Sequence, residues 1–131
     1  MSHLLDANVL IAIGWEAHES YQAANLWLIG ISGFATCPLV QMAFIRISLS
    51  QAFSVPFNKA QESLADIVND PRHGFVVDDV QASILPVVNG NKEVTDAHLV
   101  TLARKHGLKL ATLDKPLCSK PWALGIAEYI G

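Results

Sequence analysis

Short apolar runs, His3-Leu4-Leu5, Phe34-Ala35-Thr36, Gly74-Phe75-Val76-Val77 and Lys109 to Leu113, alternate along this chain with longer stretches of helical periodicity. That alternation leaves little freedom of architecture. Strands joined through helices become parallel neighbours with right-handed crossovers, and both faces of their sheet are covered. Two of the runs end on or beside an acid, Leu4-Leu5-Asp6 and Ala111-Thr112-Leu113-Asp114, and a third acid, Asp96, follows Glu93-Val94-Thr95 where a helical stretch begins. In an open parallel sheet the ligand crevice lies outside the carboxyl ends of the strands, so Asp6, Asp96 and Asp114 are expected to meet there. A bare carboxylate cluster is driven apart or partly protonated by its own repulsion. A divalent cation with oxygen ligands, Mg²⁺ or Mn²⁺, is the natural remedy. Taken singly, Asp6 reads equally well as a turn residue and Asp96 as a helix cap.

The stretches between the runs carry their own punctuation. Asp6-Ala7-Asn8 opens a turn into Val9 to Ile13, which Gly14 ends. Ser20 is placed to cap a helix with Tyr21, Ala24 and Leu28 at helical spacing, left through Gly30 and Gly33. Pro38 suits the first turn of a helix to about Ser50, with Val40, Phe44 and Ile47 on one face. Asn58 and Gln61 resemble a capping box for the next helix, which Pro71 stops. Asp78-Asp79 is expected to cap a short helix through about Leu85. Thr95 or Asp96 is expected to cap another carrying Leu99, Leu102, Ala103 and His106, closed by a left-handed Gly107. Gly125 to Tyr129 reads as a short edge strand. The expected fold is α/β, a mostly parallel sheet of four to five strands between helical layers.

With 131 residues and 51% hydrophobic composition, a single domain spanning 1–131 should hide roughly 65–70% of its unfolded surface. Mean hydropathy is +0.32, yet polar residues interrupt every apolar stretch before the ~18–20 residues that span a bilayer. Met1-Ser2-His3-Leu4-Leu5-Asp6 lacks a basic leader, so no membrane segment and a cytoplasmic location are expected. A net charge of −3 and a pI near 5.9 argue against a module that holds nucleic acid by charge alone. They argue less against a metal nuclease, whose cations reverse the sign of its site. Cys37 and Cys118 lie in different segments without zinc-ligand spacing and read as reduced thiols. The apolar surplus suits a surface covered by a partner.

Leu4-Leu5-Asp6-Ala7-Asn8-Val9-Leu10, then Val94-Thr95-Asp96-Ala97-His98-Leu99-Val100 with Leu102-Ala103, then Ala111-Thr112-Leu113-Asp114, in this order and spacing, resemble the PIN-domain family, specifically the VapC-type toxins of bacterial toxin–antitoxin pairs. The resemblance covers the whole chain. It implies a PIN-like three-layer α/β/α sandwich, a homodimer, a cognate antitoxin as partner, RNA as substrate, and an endoribonuclease dependent on Mg²⁺ or Mn²⁺ in which metal-activated water hydrolyses the phosphodiester. Asp6, Asp96 and Asp114 match the family's acidic metal ligands. Asn8 matches a polar position beside the first acid, and Thr112 the hydroxyl two residues before the last; either could orient a carboxylate or the attacking water. Arg46 matches a helical position where it could touch a substrate phosphate or form a structural salt bridge.

One departure bears on the metal count. Family members usually carry a glutamate near the start of the third helix, but Cys37 to Arg46 offers no acid. Of Gln41, Met42 and Ala43, only Gln41 can ligate or hydrogen-bond. One charge fewer weakens a second metal site, leaving open whether one or two ions bind. Glu62, Asp78, Asp79 and Glu93 read as solvated surface charges rather than substitutes. His98 and His106 receive no catalytic role, and Trp15, Trp27, Phe44 and Phe53 read as core or interface rather than base-stacking platforms. The alternative is a catalytically weakened PIN-like domain acting as a binding or regulatory protein. A phosphoryl-transfer domain fits less well, because Asp6-Ala7-Asn8 lacks the paired acid such a site uses.

Overall fold

The computed structural model describes all 131 residues. Five strands, β1 (His3–Leu5), β2 (Phe34–Thr36), β3 (His73–Phe75), β4 (Lys109–Thr112) and β5 (Ala127–Tyr129), form one sheet in the order β3-β2-β1-β4-β5. Every pairing is parallel, with Leu4 opposite Ala35 on one side and Leu110 on the other. The helices are α1 (Ala7–Gly14), α2 (Tyr21–Ile29), α3 (Pro38–Leu49), α4 (Phe57–Val68) and α5 (Val94–Lys105). Two successive crossovers travel in the same direction from β1 to β3, and right-handedness puts α1 to α4 on one face; the return to β4 puts α5 on the other. Packing agrees, since α1 contacts α2, α3 and α4 while α5 contacts β4. The result is the expected three-layer α/β/α sandwich.

The inner strands are apolar on both faces because both are covered: all of β2 and most of β1 and β4 are buried. Helix α1 is buried from Val9 through Ile13, which makes it the central helix of its layer. Phe34, Phe44, Leu10, Leu99, Leu102 and Leu110 are fully buried, and truncating one of these to Ala costs ~2–5 kcal/mol. Trp15 stacks on Phe44 at 5.8 Å and its indole N–H donates to Ser48 Oγ at 2.8 Å. Trp27 meets His3 edge-on at 5.1 Å. These aromatics are structural. Gly107 takes φ +70°, the left-handed exit expected after α5. No helix is long and apolar enough to cross a membrane.

Several boundaries differ from the sequence expectation. There is no turn over Asp6-Ala7-Asn8: α1 begins at Ala7 with Asp6 as its cap. Ser20 makes no side-chain cap; its backbone N–H instead donates to His18 Nδ1 at 2.9 Å. The capping box at Asn58 does not form, because Pro56, at φ −60° and ψ 148°, turns the chain straight into helix and leaves Asn58 already inside the first turn. Strand β3 stops at Phe75, since β2 ends at Thr36 before Pro38 and offers only one further carbonyl, to Val76. Asp78 and Asp79 head no helix, and only a short 3₁₀ turn, Ala82–Ile84, occurs nearby. Neither Thr95 nor Asp96 caps α5, because the turn Asn91–Glu93 feeds the helix from Val94 and puts Asp96 within its first turn.

Candidate active site at the carboxyl edge of the sheet

The chain runs from β1 outward to β2 and β3, then returns to the other side of β1 for β4 and β5. The reversal lies between β1 and β4, which is where an open α/β sheet leaves a crevice. Asp6 follows β1 and Asp114 follows β4 by one residue, so the two flank that crevice from adjacent strands. Asp96 reaches the same edge from the start of α5.

Asp6 is fixed on all sides. Its Oδ1 accepts from the Ala7 N–H at 2.7 Å and its Oδ2 from the Thr112 hydroxyl at 2.8 Å. The same hydroxyl accepts from Asn8 Nδ2 at 3.3 Å and from the Asp114 N–H at 3.0 Å, and Asn8 Oδ1 accepts from the Leu113 N–H at 3.1 Å. Thr112 is thus the hub that joins the ends of β1 and β4. Its hydroxyl has one proton, committed to Asp6, and two lone pairs, committed to the other two donors. Asp114 Oδ1 accepts from the Leu117 N–H at 3.3 Å.

The electrostatics carry the mark of clustered acid. Burial raises the Asp6 carboxyl above its ordinary range; Asp114 adds to the rise, while the Thr112 and Ala7 hydrogen bonds oppose it. Asp96 is pushed up to about 6, first by burial and then by the charges of Asp6, Asp114 and Glu93. Its carboxylate makes no ion pair. No three His, Cys, Asp or Glu side chains stand close enough to be joined directly to one ion. The donor set is nonetheless all oxygen and surplus in negative charge, which suits a hard cation that keeps several waters and takes one or two carboxylates.

The remaining candidates divide clearly. Gln41 lies in the first turn of α3 with its amide N–H donating to Thr36 Oγ1 at 2.9 Å, an oxygen also 2.7 Å from His73 Nε2. Arg46 is exposed and forms no salt bridge. Asp78 and Asp79 are structural rather than merely solvated: Asp78 is 2.8 Å from His98 Nε2, and Asp79 pairs with His106 at 2.9 Å and Lys105 at 3.3 Å. Glu62 pairs with Lys59 on the surface. Glu93 also departs from expectation, since Lys120 holds it at 2.7 Å and its charge reaches Asp96. His18, Lys115 and Tyr129 border the site beside Asn8 and Asp114; only the adjacency of Lys115 to Asp114 hinted at this in the sequence.

Sheet order, switch point and acid cluster together define an α/β domain with a carboxylate site between its central strands. The family model described as PIN domain matches residues 3–122. The chain belongs to the PIN-domain family. It is 39% identical over 120 residues to Ribonuclease VapC29 of Mycobacterium tuberculosis, covering 89% of each chain. With Ribonuclease VapC39 of the same organism it shares 35% identity over 140 residues, covering 99% of this chain and all of the relative. Among solved structures it shares its fold with VapBC2 from Rickettsia felis bound to a DNA fragment from their promoter, at a TM-score of 0.69 and 16% identity over the whole of both chains. It also resembles VapC20 of M. tuberculosis, a sarcin-ricin loop cleaving toxin, at a TM-score of 0.62 and 13% identity over 86% of this chain and 88% of that one.

Proposed function

We propose that this chain is a metal-dependent endoribonuclease, the toxin of a toxin–antitoxin pair. The observation that carries the reading is the convergence of Asp6 and Asp114 at the switch point, with Asp96 near enough that their charges help push it up to about 6. Ribonuclease relatives covering nearly the whole chain support RNA as the substrate. In this reading Asp6, Asp96 and Asp114 are the residues that would hold Mg²⁺ or Mn²⁺. A bound ion of this kind polarises phosphate and lowers the pKa of water. Thr112 and the Ala7 N–H keep Asp6 in one orientation, and Asn8 keeps Thr112 in place, so the site is ordered before substrate arrives. With Gln41 turned to Thr36, no fourth acid joins from α3, and one ion fits better than two.

The partners follow from the same reading. The R. felis complex pairs its toxin-type chain with a second protein, which favours a cognate antitoxin here, one presenting Arg or Lys to the acids. A homodimer suits the exposed apolar residues, among them Leu26, Ile29, Phe75 and Val77.

The test is incubation of the full-length, antitoxin-free protein with mixed folded RNA in Mg²⁺, Mn²⁺ or EDTA, beside Asp96→Asn. Discrete cleavage that needs metal and is lost in the folded variant is the expected result. A folded wild-type chain that leaves RNA intact in both metals overturns the reading and returns the binding-protein alternative.

A further inference from the structure

Next to the acid cluster lies a groove of about 740 Å³, entered past Asn8 and Asp114 and bordered by His18, Lys115 and Tyr129. Its size falls in the ~300–1,000 Å³ range of ligand pockets. Two elements distant in the chain build it. The loop between α1 and α2 supplies His18, and the turn after β4 together with edge strand β5 supplies Lys115 and Tyr129. None of the three side chains serves the acid cluster's hydrogen-bond network.

Their chemistry is complementary to a single nucleic-acid strand. Lys115 is exposed, makes no salt bridge, and follows Asp114 directly, so its ammonium is available to a phosphate beside the one being cut. Its Nζ lies 5.8 Å from the centroid of the Tyr129 ring, which is 43% exposed. A phosphate that draws the ammonium away leaves that ring face free for an unstacked base, the combination of charge and aromatic platform by which proteins hold single strands. His18 is oriented in advance: Nδ1 accepts the Ser20 N–H at 2.9 Å, and the ring stacks parallel to Phe53 with centroids 6.3 Å apart. In the neutral ring the proton therefore sits on Nε2, a donor with no partner in the chain. Glu19, also on the rim, is exposed to solvent.

We propose that this groove holds the RNA strand on one side of the scissile phosphate, with Lys115 on a backbone phosphate, Tyr129 beneath a splayed base and His18 donating to an acceptor on the same strand. The inference rests on the ribonuclease reading and adds the path of the substrate to it. It also fixes the form of substrate, since stacking on Tyr129 requires a looped or single-stranded base rather than a paired one.

Two measurements on the full chain test it. The first is binding of a fluorescein-labelled RNA hairpin with an unpaired loop, by anisotropy in Mg²⁺, in an Asp96→Asn background across a salt series. The second is steady-state cleavage of the same hairpin with Asp96 intact. Tyr129→Ala is expected to weaken binding about tenfold, with Tyr129→Phe restoring it. Lys115→Gln is expected to weaken binding and to reduce the log–log salt slope by about 0.7, one phosphate contact on a single strand. Both losses should fall on KM rather than kcat. The two side chains are exposed, and thermal melts by circular dichroism verify that the variants stay folded. Cleavage by the unmutated chain with Lys115→Gln and Tyr129→Ala indistinguishable from it in KM, affinity and salt slope overturns the groove while leaving the nuclease. Binding that responds to both residues without any cleavage upholds the groove and removes the nuclease.

Discussion

Two aspartates at helix α5, Asp96 on its first turn and Asp79 against its last, are treated oppositely by the fold. At its start, Asp96 has no cationic partner and is pushed up to about 6 by burial and by its acidic neighbours. Near its other end Asp79 is held below its ordinary range, chiefly by hydrogen bonding to His106 and also by Lys105. The residue type is the same and the helix is the same. What differs is whether the fold supplied a cation. Asp79 has its counter-charge built in and ties the segment after β3 to α5, which is a structural task. Asp96 is half-buried and faces other acids with no cation supplied, the kind of perturbation that clusters at functional sites.

The largest effect expected from breaking this contrast is on cleavage. Asp96→Asn should lower it by about a hundredfold or more, in keeping with the several kcal/mol a metal site contributes, and should also make the protein more stable in EDTA. The Asp96 carboxyl takes up a proton at a higher pH in the folded chain, about 6 against 3.8. The folded state therefore binds more protons between those values, and stability rises as pH falls from 7 toward 4. Discounted for its half-open position, the contribution is about 1–2 kcal/mol, or a rise of roughly 3–8 °C in Tm for the variant at pH 7. The gain should vanish near pH 4, as read by differential scanning calorimetry. An Asp96→Asn melting point below that of the parent at pH 7 would contradict the assigned repulsion.

Thr112→Val should come next. It keeps the shape of the side chain but removes the hydroxyl shared by Asp6, Asn8 and Asp114, leaving buried donors and an acceptor without partners, at ~1–3 kcal/mol in urea unfolding. Cleavage should fall with it, since Asp6 loses its orientation. Gln41→Glu sharpens the contrast by adding an acid from α3, and calorimetric titration with Mn²⁺ should show tighter binding or a second site. Asp79→Asn should matter least: cleavage unchanged, and a slightly lower Tm at pH 7 that high salt erases. Its sign with pH is opposite to that of Asp96, because a lowered carboxyl stabilises above its unfolded pKa and loses that contribution as pH falls through its folded one.

Much of this site is legible in the sequence. Asp6 and Asp114 declare themselves because each sits just past a buried run, and a parallel sheet sends such residues to one edge. Asn8 and Thr112 stand beside them in the sequence, and the structure joins the two by a hydrogen bond. What escaped was set by contacts between residues far apart in the chain. Whether Asp79 is solvated or paired depends on where α5 lies, and no local pattern encodes that. The capping box at Asn58 was a sound local signal overridden by Pro56, whose fixed φ starts the helix early. The groove beside Asp114 needs β5 docked on β4 and His18 brought to the same rim, an arrangement visible only once the sheet forms.

The pairing of β1 with β4 has a consequence for the order in which the protein becomes itself. Leu4 finds Leu110 across more than a hundred residues of chain, and no hairpin offers a shortcut in a sheet whose pairings are all parallel. Such long-range closure is slow compared with local helix formation. During synthesis Asp6 emerges first and waits, with Thr112 and Asp114 still to be made. A chain that halts before β4 holds one acid of the cluster's central pair and none of the threonine that orients it. The destructive chemistry proposed for this protein thus waits on the synthesis of β4, whatever else the ribosome makes first.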